Sequence, residues 1–219
     1  MADNAYTLVV GSKELSSWSL RPWLLMRQAA IGFDEIVILL DQAGTKAKIA
    51  LHSPSGKVPL LKHGKLAVWD SLSIAEYLNE RHPQLRLWPT DVPARAQARS
   101  ISAEMHSSFR DLRYALPMKF SSRGLTPDMS ETCAADIRRI VTIWREARHG
   151  FGAGGPFLFG QFGIADAMFA PVASRFTSYG TRLADYGDDG SAESYRAMLM
   201  ALPTMLDWGK AAAVEPKTR

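Results

Sequence analysis

Cysteine is almost absent from this sequence of 219 residues, since Cys133 is the only one. A single cysteine allows no internal disulfide, which excludes a disulfide-stapled secreted domain and suits a reducing compartment. The first ten residues, MADNAYTLVV, also lack the basic and long apolar stretches of a secretory signal. These two absences predict a cytoplasmic protein.

Long apolar runs and charge of one sign are scarce as well. No stretch of about 18 consecutive apolar residues occurs, so we expect no membrane partner. The 26 Lys and Arg residues stand against 22 Asp and Glu residues, and the arginines are scattered, so we expect no nucleic-acid partner. The five histidines show no metal-ligand spacing, and no metal site is predicted.

Short β-branched and apolar runs dominate the first part of the chain. Four of them are predicted to be strands, at residues 6–10, 36–40, 58–61 and 66–69. Apolar stripes predict a first helix with a C-cap at Gly32, a short irregular helix within 41–53, and a third helix that stops at Pro83. The early strands should be parallel and the later hairpin antiparallel, so this part is expected to form a mixed four-stranded sheet with helices packed on it.

Strand signals vanish further along the chain. Residues 84–93 (QLRLWPTDVP) contain two prolines and no period, which indicates a linker. Apolar residues then recur at helical spacing around Ile101, Val141, Val172 and Trp208. The sequence thus predicts an α/β domain over 1–83, a linker over 84–93, and an all-helical bundle over 94–219.

Three serines surround the start of the first predicted helix, in the order Ser16-Ser17-Trp18-Ser19. A helix N-terminus presents unpaired N–H groups and partial positive charge, which stabilise an anion such as a thiolate. A serine hydroxyl can donate one further hydrogen bond to that thiolate. The alternative is that the serines only cap the helix, and which hydroxyl would face a thiol stays open.

A second candidate is Lys57-Val58-Pro59, which follows Ser-Gly at the entry of a strand. If the Val58–Pro59 bond is cis, the backbone of Val58 faces outward and can pair with a peptide ligand like an added strand. An ordinary trans bond in a structural turn is the alternative reading of the same residues.

A third candidate is Asp70-Ser71, which opens the third predicted helix. Ser71 can cap this helix, and Asp70 supplies a carboxylate for a ligand ammonium group. Ser73 and Glu76 form a competing S-x-x-E capping box, so the start of the helix is open by about two residues.

Four segments together resemble the glutathione transferase family, and the resemblance covers almost the whole chain. SSWSLRPW, GKVPLL and WDSLSIAEYL are similar to its glutathione-binding segments, and FLFGQFGIADAMFAPV is similar to its later helical motif. The resemblance implies a thioredoxin-like N-terminal domain, a helical second-substrate domain and a homodimer. It also implies glutathione as cosubstrate, with its thiolate attacking an electrophilic, mostly apolar small molecule.

The serine-type, zeta-like group of that family reads S-S-C-x-x-R at the first segment. By resemblance, Ser16 and Ser17 take the catalytic positions and Arg21 takes the position of the arginine. Trp18 replaces the cysteine, which puts zeta-type isomerase chemistry in question. A glutathione-dependent isomerase of the maleylacetoacetate type and a non-catalytic binding module are the alternatives.

The resemblance also assigns the glutathione-binding positions. It gives Val58 the backbone that binds the cysteinyl part, with Pro59 as the cis-proline. Asp70 and Ser71 match the pair that binds the γ-glutamyl end. Lys57 stands where many members have glutamine, and it could meet a glutathione carboxylate.

Four positions in the helical part receive structural or steering roles. Gly163 stands where the family has Ser or Thr in an S/T-x-x-D box, and Asp166 at the third helical position is expected to be structural. Arg110 and Arg113 are predicted on the first long helix of the bundle. Either could steer an acidic substrate, or both could lie on a solvated face.

Overall fold

The computed structural model describes residues 5–216, so the ends of the two predicted domains, 1–4 and 217–219, lie outside the described residues. The four strands are β1 (Tyr6–Gly11), β2 (Phe33–Ile38), β3 (Leu60–His63) and β4 (Leu66–Trp69). Their order in the sheet is β2-β1-β3-β4. β1 pairs with β2 in parallel, and the other two pairings are antiparallel, which confirms the predicted mixed sheet.

Three helices cover this sheet, namely α1 (Ser17–Gln28), α2 (Thr45–Ala50) and α3 (Ser71–Arg81). Side chains alternate across the central strand β1, because successive residues of a strand point to opposite faces. Leu8 and Val10 belong to the large core that includes α1 and α3, whereas Val9 packs with Ile49 of α2. The result is the thioredoxin-like arrangement that the resemblance implied.

In the second part, the described residues form helices joined by loops, and the β pairing among them is limited to isolated bridges near Phe157. Its helices are α4 (Val92–Ser107), α5 (Arg110–Ala115), α6 (Glu131–Phe151), α7 (Ile164–Ser178), α8 (Ser191–Met200) and α9 (Pro203–Ala213). α7 is buried along almost its whole length and packs against α1, α4 and α8. The predicted fold class is therefore confirmed. Within residues 5–216, no helix is long and apolar enough to cross a membrane.

The end of α1 differs from the prediction. The helix ends at Gln28, because Ala30 takes the left-handed conformation at φ +53° and the Ile31 N–H returns to the Met26 carbonyl at 2.9 Å. That geometry closes a helix in the way glycine usually does. The predicted C-cap at Gly32 is wrong, since an alanine two residues earlier makes the turn.

The second strand also begins earlier than the predicted range of 36–40. Phe33 pairs with Tyr6 at one end of the parallel ladder, and Ile38 pairs with Gly11 at the other. All six residues of β1 pair with β2, so the length of β1 sets where β2 begins and ends. The polar residues Asp34 and Glu35 are tolerated within β2 because it is an edge strand of the sheet.

Arg110 and Arg113 do not lie on the first long helix of the bundle, so that prediction is wrong. α4 ends at Ser107, and Phe109 adopts φ +63° with its side chain only 4% exposed. Burying this ring turns the chain, and the two arginines follow on the separate short helix α5.

Candidate functional site

Ser16 is the N-cap of α1. Its Oγ accepts a hydrogen bond from the Ser19 N–H at 3.4 Å, and its hydroxyl donates to Ser19 Oγ at 2.7 Å. Ser19 Oγ also accepts from the Gly11 N–H at 3.0 Å, and both serines are buried. Ser16 and Ser19 therefore fix the start of α1 against the end of β1.

Ser17, the first residue of α1, is tied to the helical domain. Its Oγ accepts a hydrogen bond from Nη2 of Arg175 on α7 at 3.3 Å. Arg175 also donates through Nε to the Leu116 carbonyl at 2.7 Å, and both Ser17 and Arg175 are buried. The first turn of α1 is thus bonded to the end of β1 within its own domain, and it also accepts a hydrogen bond from the Arg175 guanidinium of the helical domain.

A cleft of about 480 Å³ lies beside this turn. Its lining consists of Trp18, Ser55, Lys57, Val58, Pro59, Trp69, Asp70, Ser71 and His106. The structure thus brings five predicted site residues together in one cleft. Ser16 and Ser17 are not among the lining residues, but they directly precede Trp18, which is.

The Val58–Pro59 peptide bond is cis. β3 begins only at Leu60, so Val58 lies just outside the sheet ladder. Among the described residues, none makes a hydrogen bond with the backbone N–H or carbonyl of Val58. This leaves one donor and one acceptor at the cleft for an extended ligand.

Asp70, and not Ser71, is the N-cap of α3. Its Oδ1 accepts from the Leu72 N–H at 2.8 Å and from the Ser73 N–H at 3.3 Å, and its backbone has φ +37°. The competing capping box at Ser73 does not form, because Glu76 instead accepts from Nε1 of Trp88 at 3.1 Å. The role given to Ser71 as the cap is therefore wrong.

His106, on α4 of the helical domain, lies against this cap. Its Nε2 is 3.0 Å from Oδ2 of Asp70, and Nδ1 has no hydrogen-bond partner in the described part of the chain. Burial lowers the pKa of His106, although the Asp70 carboxylate partly opposes that shift. Within residues 5–216, no three His, Cys, Asp or Glu side chains are grouped to hold a metal ion.

The Trp18 ring is contacted by two guanidinium groups and one imidazole. The guanidinium of Arg21 lies 4.3 Å from the centre of its ring and that of Arg113 lies 4.8 Å away, while the His106 ring meets it edge-on at 5.2 Å. Such cation–π contacts fix an aromatic side chain that also lines the cleft. Arg110, in contrast, is exposed to solvent.

Three arginines concentrate positive charge around the first turn of α1. Arg21 is 1% exposed and Arg175 is 5% exposed, and burial lowers the pKa of Arg21 well below its ordinary value and that of Arg175 to about 9. Burial also lowers the pKa of Arg113. None of the three forms an ion pair with a carboxylate in the described chain.

Sequence reasoning singled out Arg21 and Arg113 but missed His106 and Arg175. Arg21 lies three residues after Trp18 on one helix, a spacing that places them on the same face. No motif or periodicity marks His106 or Arg175, which reach the site only through the packing of the helical domain.

A second cavity, of about 380 Å³, adjoins the loop between β1 and α1. Its lining mixes apolar residues such as Leu15 and Leu40 with polar residues such as Lys119. Near the end of the described chain, the Glu215 carboxylate forms part of one wall and accepts from the Lys13 N–H at 2.7 Å. This cavity therefore offers a mixed surface next to the residues that precede Ser16.

Asp166 occupies the third position of α7, as expected. One oxygen accepts from the Gly163 N–H at 2.9 Å, and the other accepts from the Leu158 N–H at 3.1 Å and the Tyr195 hydroxyl at 2.9 Å. Burial raises the pKa of Asp166 to about 6, although these hydrogen bonds oppose the shift. A Cβ on Gly163 would lie 2.8 Å from the Leu87 carbonyl, which accounts for glycine at this position.

Comparisons with known proteins agree with this architecture. The family profile described as glutathione S-transferase, N-terminal domain, matches residues 15–81. A probable maleylacetoacetate isomerase of Caenorhabditis elegans is 33% identical over 96 residues, which is 44% of each chain. Glutathione S-transferase 1 of Dianthus caryophyllus is 27% identical over 137 residues, which is 61% of each chain. The matches thus span about half the length of these curated relatives.

Solved structures extend the likeness to both domains. A glutathione transferase homologue from Burkholderia gl BGR1, with bound glutathione, has a TM-score of 0.71 at 21% identity and covers 96% of this chain and 100% of its own. A Tau class glutathione S-transferase from mango, Mangifera indica, has a TM-score of 0.72 at 17% identity and covers 97% of both chains. Residues 15–81 therefore match the glutathione S-transferase N-terminal domain, and the solved structures show that the rest of the chain shares the fold of glutathione transferases.

Proposed function

We propose that the protein binds glutathione in the cleft between Trp18 and His106 and acts as a glutathione transferase. The observation that carries this proposal is the unengaged backbone of Val58, beside a cis proline and opposite Asp70 in one cleft. A tripeptide needs a strand-like edge and a charged anchor, and this cleft offers both.

The residues of the cleft fit the chemical groups of glutathione. The N–H and carbonyl of Val58 pair with the cysteinyl backbone. Oδ2 of Asp70, which accepts no backbone hydrogen bond, binds the γ-glutamyl ammonium together with Ser71. Lys57 is exposed at the cleft and can meet a carboxylate. Charge-assisted hydrogen bonds of this kind are about twice as strong as neutral ones.

The N-terminus of α1 activates the thiol in this proposal. Bound glutathione supplies a thiolate that forms a bond from sulfur to an electrophilic carbon as the leaving group departs. A hydroxyl of this turn, with its free N–H groups, provides the hydrogen bonds that favour the thiolate, and Ser16 and Ser17 are the two candidates. The thiol proton goes to solvent.

The second substrate binds in the cavity beside the loop from β1 to α1. Leu15, which lines that cavity, directly precedes Ser16. The lining of that cavity is at least as polar as it is apolar, so it suits a molecule that carries both apolar and polar groups. Arg110 is too exposed to select an acidic substrate there, whereas the Arg113 guanidinium already stacks on Trp18.

A second candidate is a glutathione-dependent isomerase. The 33% identity to a probable maleylacetoacetate isomerase favours it over part of the chain. Trp18, which stands in place of the zeta-like cysteine, disfavours it. Isomerisation of a cis double bond would leave the amount of free glutathione unchanged, whereas conjugation consumes it.

The domain limits and the assembly are proposals as well. α3 ends at Arg81 and α4 begins at Val92, which supports a linker over 84–93 between domains 1–83 and 94–219. A homodimer is proposed from the resemblance to glutathione transferases alone. Sedimentation velocity measures the assembly directly.

The proposed function is tested by titrating glutathione while recording heat and the ultraviolet absorption of the thiolate. We expect saturable binding with a rising thiolate band, followed by consumption of glutathione with at least one member of a panel of electrophiles. Binding without that band would instead indicate a non-catalytic module, and absence of binding would contradict both readings.

A further inference from the structure

The hydroxyl protons of Ser16 and Ser17 are in different situations. Ser16 donates its proton to Ser19 Oγ at 2.7 Å. Ser17 Oγ accepts from Arg175 at 3.3 Å, and no acceptor for its own proton occurs in the described part of the chain. Because a hydroxyl has one donor and two acceptor sites, Ser17 keeps its donor available while a cation occupies one acceptor site.

Arg175 is suited to polarise that hydroxyl. It is 5% exposed, and its Nη1 is buried without a hydrogen-bond partner in residues 5–216. A cationic donor withdraws electron density from the hydroxyl oxygen, so the O–H becomes a stronger donor to a third group. In a buried setting such polarisation is little screened by water.

The charges near Arg175 and Ser17 are mostly of one sign. Arg113 raises the positive potential at both Arg175 and Arg21. The carboxylates that oppose it are Asp70 near Arg21 and His106, and Asp136 near Arg113. The Tyr179 phenol near Arg175 is neutral at pH 7, since burial raises its pKa above the ordinary value of 10. Since the three guanidiniums form no ion pair among the described residues, a bound anion would offset part of the cost of burying them.

We propose that Arg175 is a positioning residue that lowers the pKa of the glutathione thiol by acting through the Ser17 hydroxyl. This inference rests on the proposed function and deepens it, because it names Ser17 as the hydroxyl that faces sulfur. Ser16 then fixes the turn that presents Ser17. The helical domain thereby takes part in activating a ligand that the thioredoxin-like domain binds.

The test is a double-mutant cycle with Arg175→Gln and Ser17→Ala, read by the thiolate absorption of bound glutathione against pH. Each single variant is expected to raise the pKa of the bound thiol by about one unit, which is about tenfold less thiolate at a fixed pH. The double variant should raise it no further than the larger single effect, because the two residues act as one unit. Arg182→Gln removes an exposed positive charge and should leave the pKa unchanged.

Several results would overturn the inference. An unchanged pKa in Arg175→Gln would give Arg175 a purely structural role, and additive shifts would mean that it acts without Ser17. A change confined to KM for an acidic electrophile would make Arg175 a substrate-binding residue instead.

If Arg175→Gln fails to fold, a pair of variants at Ser17 still tests the inference. Arg175 also holds the Leu116 carbonyl, so Arg175→Gln could lose stability for that reason alone. Ser17→Thr keeps the hydroxyl and Ser17→Ala removes it, so the pKa should rise only in the alanine variant. Equal values in both would overturn the role of Ser17. The proposed function fails separately, if the wild-type protein binds no glutathione or binds it without a thiolate band.

Discussion

Nε2 of His106 lies 3.0 Å from Oδ2 of Asp70, the one oxygen of that carboxylate that takes no part in capping α3. The contact joins the first long helix of the helical domain to the cap of a helix in the thioredoxin-like domain. It also means that a ligand ammonium at Asp70 must share this oxygen with an imidazole.

Glutathione affinity should therefore depend on the protonation of His106. Burial lowers the pKa of His106, so the imidazole is neutral at pH 7 and gains its proton only below its ordinary value of 6.5. Protonated His106 would pair with Asp70 and compete with the ligand ammonium. We expect the Kd to rise several-fold from pH 7 to pH 5, and His106→Asn to flatten this dependence. His149→Asn, at another histidine near an aspartate, is the control. An equally steep profile in His106→Asn would contradict the prediction.

Asp70 caps α3 and also supplies the negative charge proposed to bind the ligand ammonium, and two variants separate these roles. Asp70→Asn keeps an oxygen that can accept from the Leu72 N–H but removes the charge. It should weaken glutathione binding by about tenfold or more, since hydrogen bonds to charged groups contribute about 1.5–3 kcal/mol. Asp70→Ala should weaken binding as much and also cost about 1 kcal/mol of unfolding free energy through the lost cap. Calorimetric titration and urea unfolding measure the two effects, and unchanged affinity in both variants would refute the binding role.

Ser16 can be compared with a second serine that caps a helix far from the cleft. Ser130 caps α6 and accepts from the Cys133 N–H at 3.1 Å. Ser16→Ala and Ser130→Ala should each cost about 1 kcal/mol of unfolding free energy. Only Ser16→Ala should also reduce turnover, and more than it reduces glutathione affinity, because it disturbs the turn that activates the thiol. Equal turnover in the two variants would remove Ser16 from the site.

The elements that sequence predicted best are those whose signals are local. The strand at Tyr6, the hairpin and the stripes of the bundle depend on short-range patterns, and the sheet follows from them. The end of α1 was missed because alanine, at Ala30, adopts a conformation that sequence assigns to glycine. His106 and Arg175 were missed because only packing of the two domains brings them to the first turn of α1 and to Asp70.

Asp166 provides a test of the fold that is independent of glutathione. Asp166→Ala would leave the Gly163 and Leu158 N–H groups and the Tyr195 hydroxyl without their acceptor, so it should cost about 3–5 kcal/mol of unfolding free energy. Asp207→Ala, at an exposed carboxylate, should change stability by about 0.5 kcal/mol or less.

The cost of losing Asp166 should also depend on pH. The pKa of its carboxyl is raised to about 6 in the folded protein, against 3.8 when exposed. A raised pKa means that the folded state binds the proton more tightly, so this contribution is complete below about pH 4 and is lost as pH rises through 6. The difference in unfolding free energy between wild type and Asp166→Ala should therefore be larger at pH 5 than at pH 7. Urea unfolding at the two values measures it, and a larger difference at pH 7 would mean that the hydrogen bonds outweigh burial and keep Asp166 ionised.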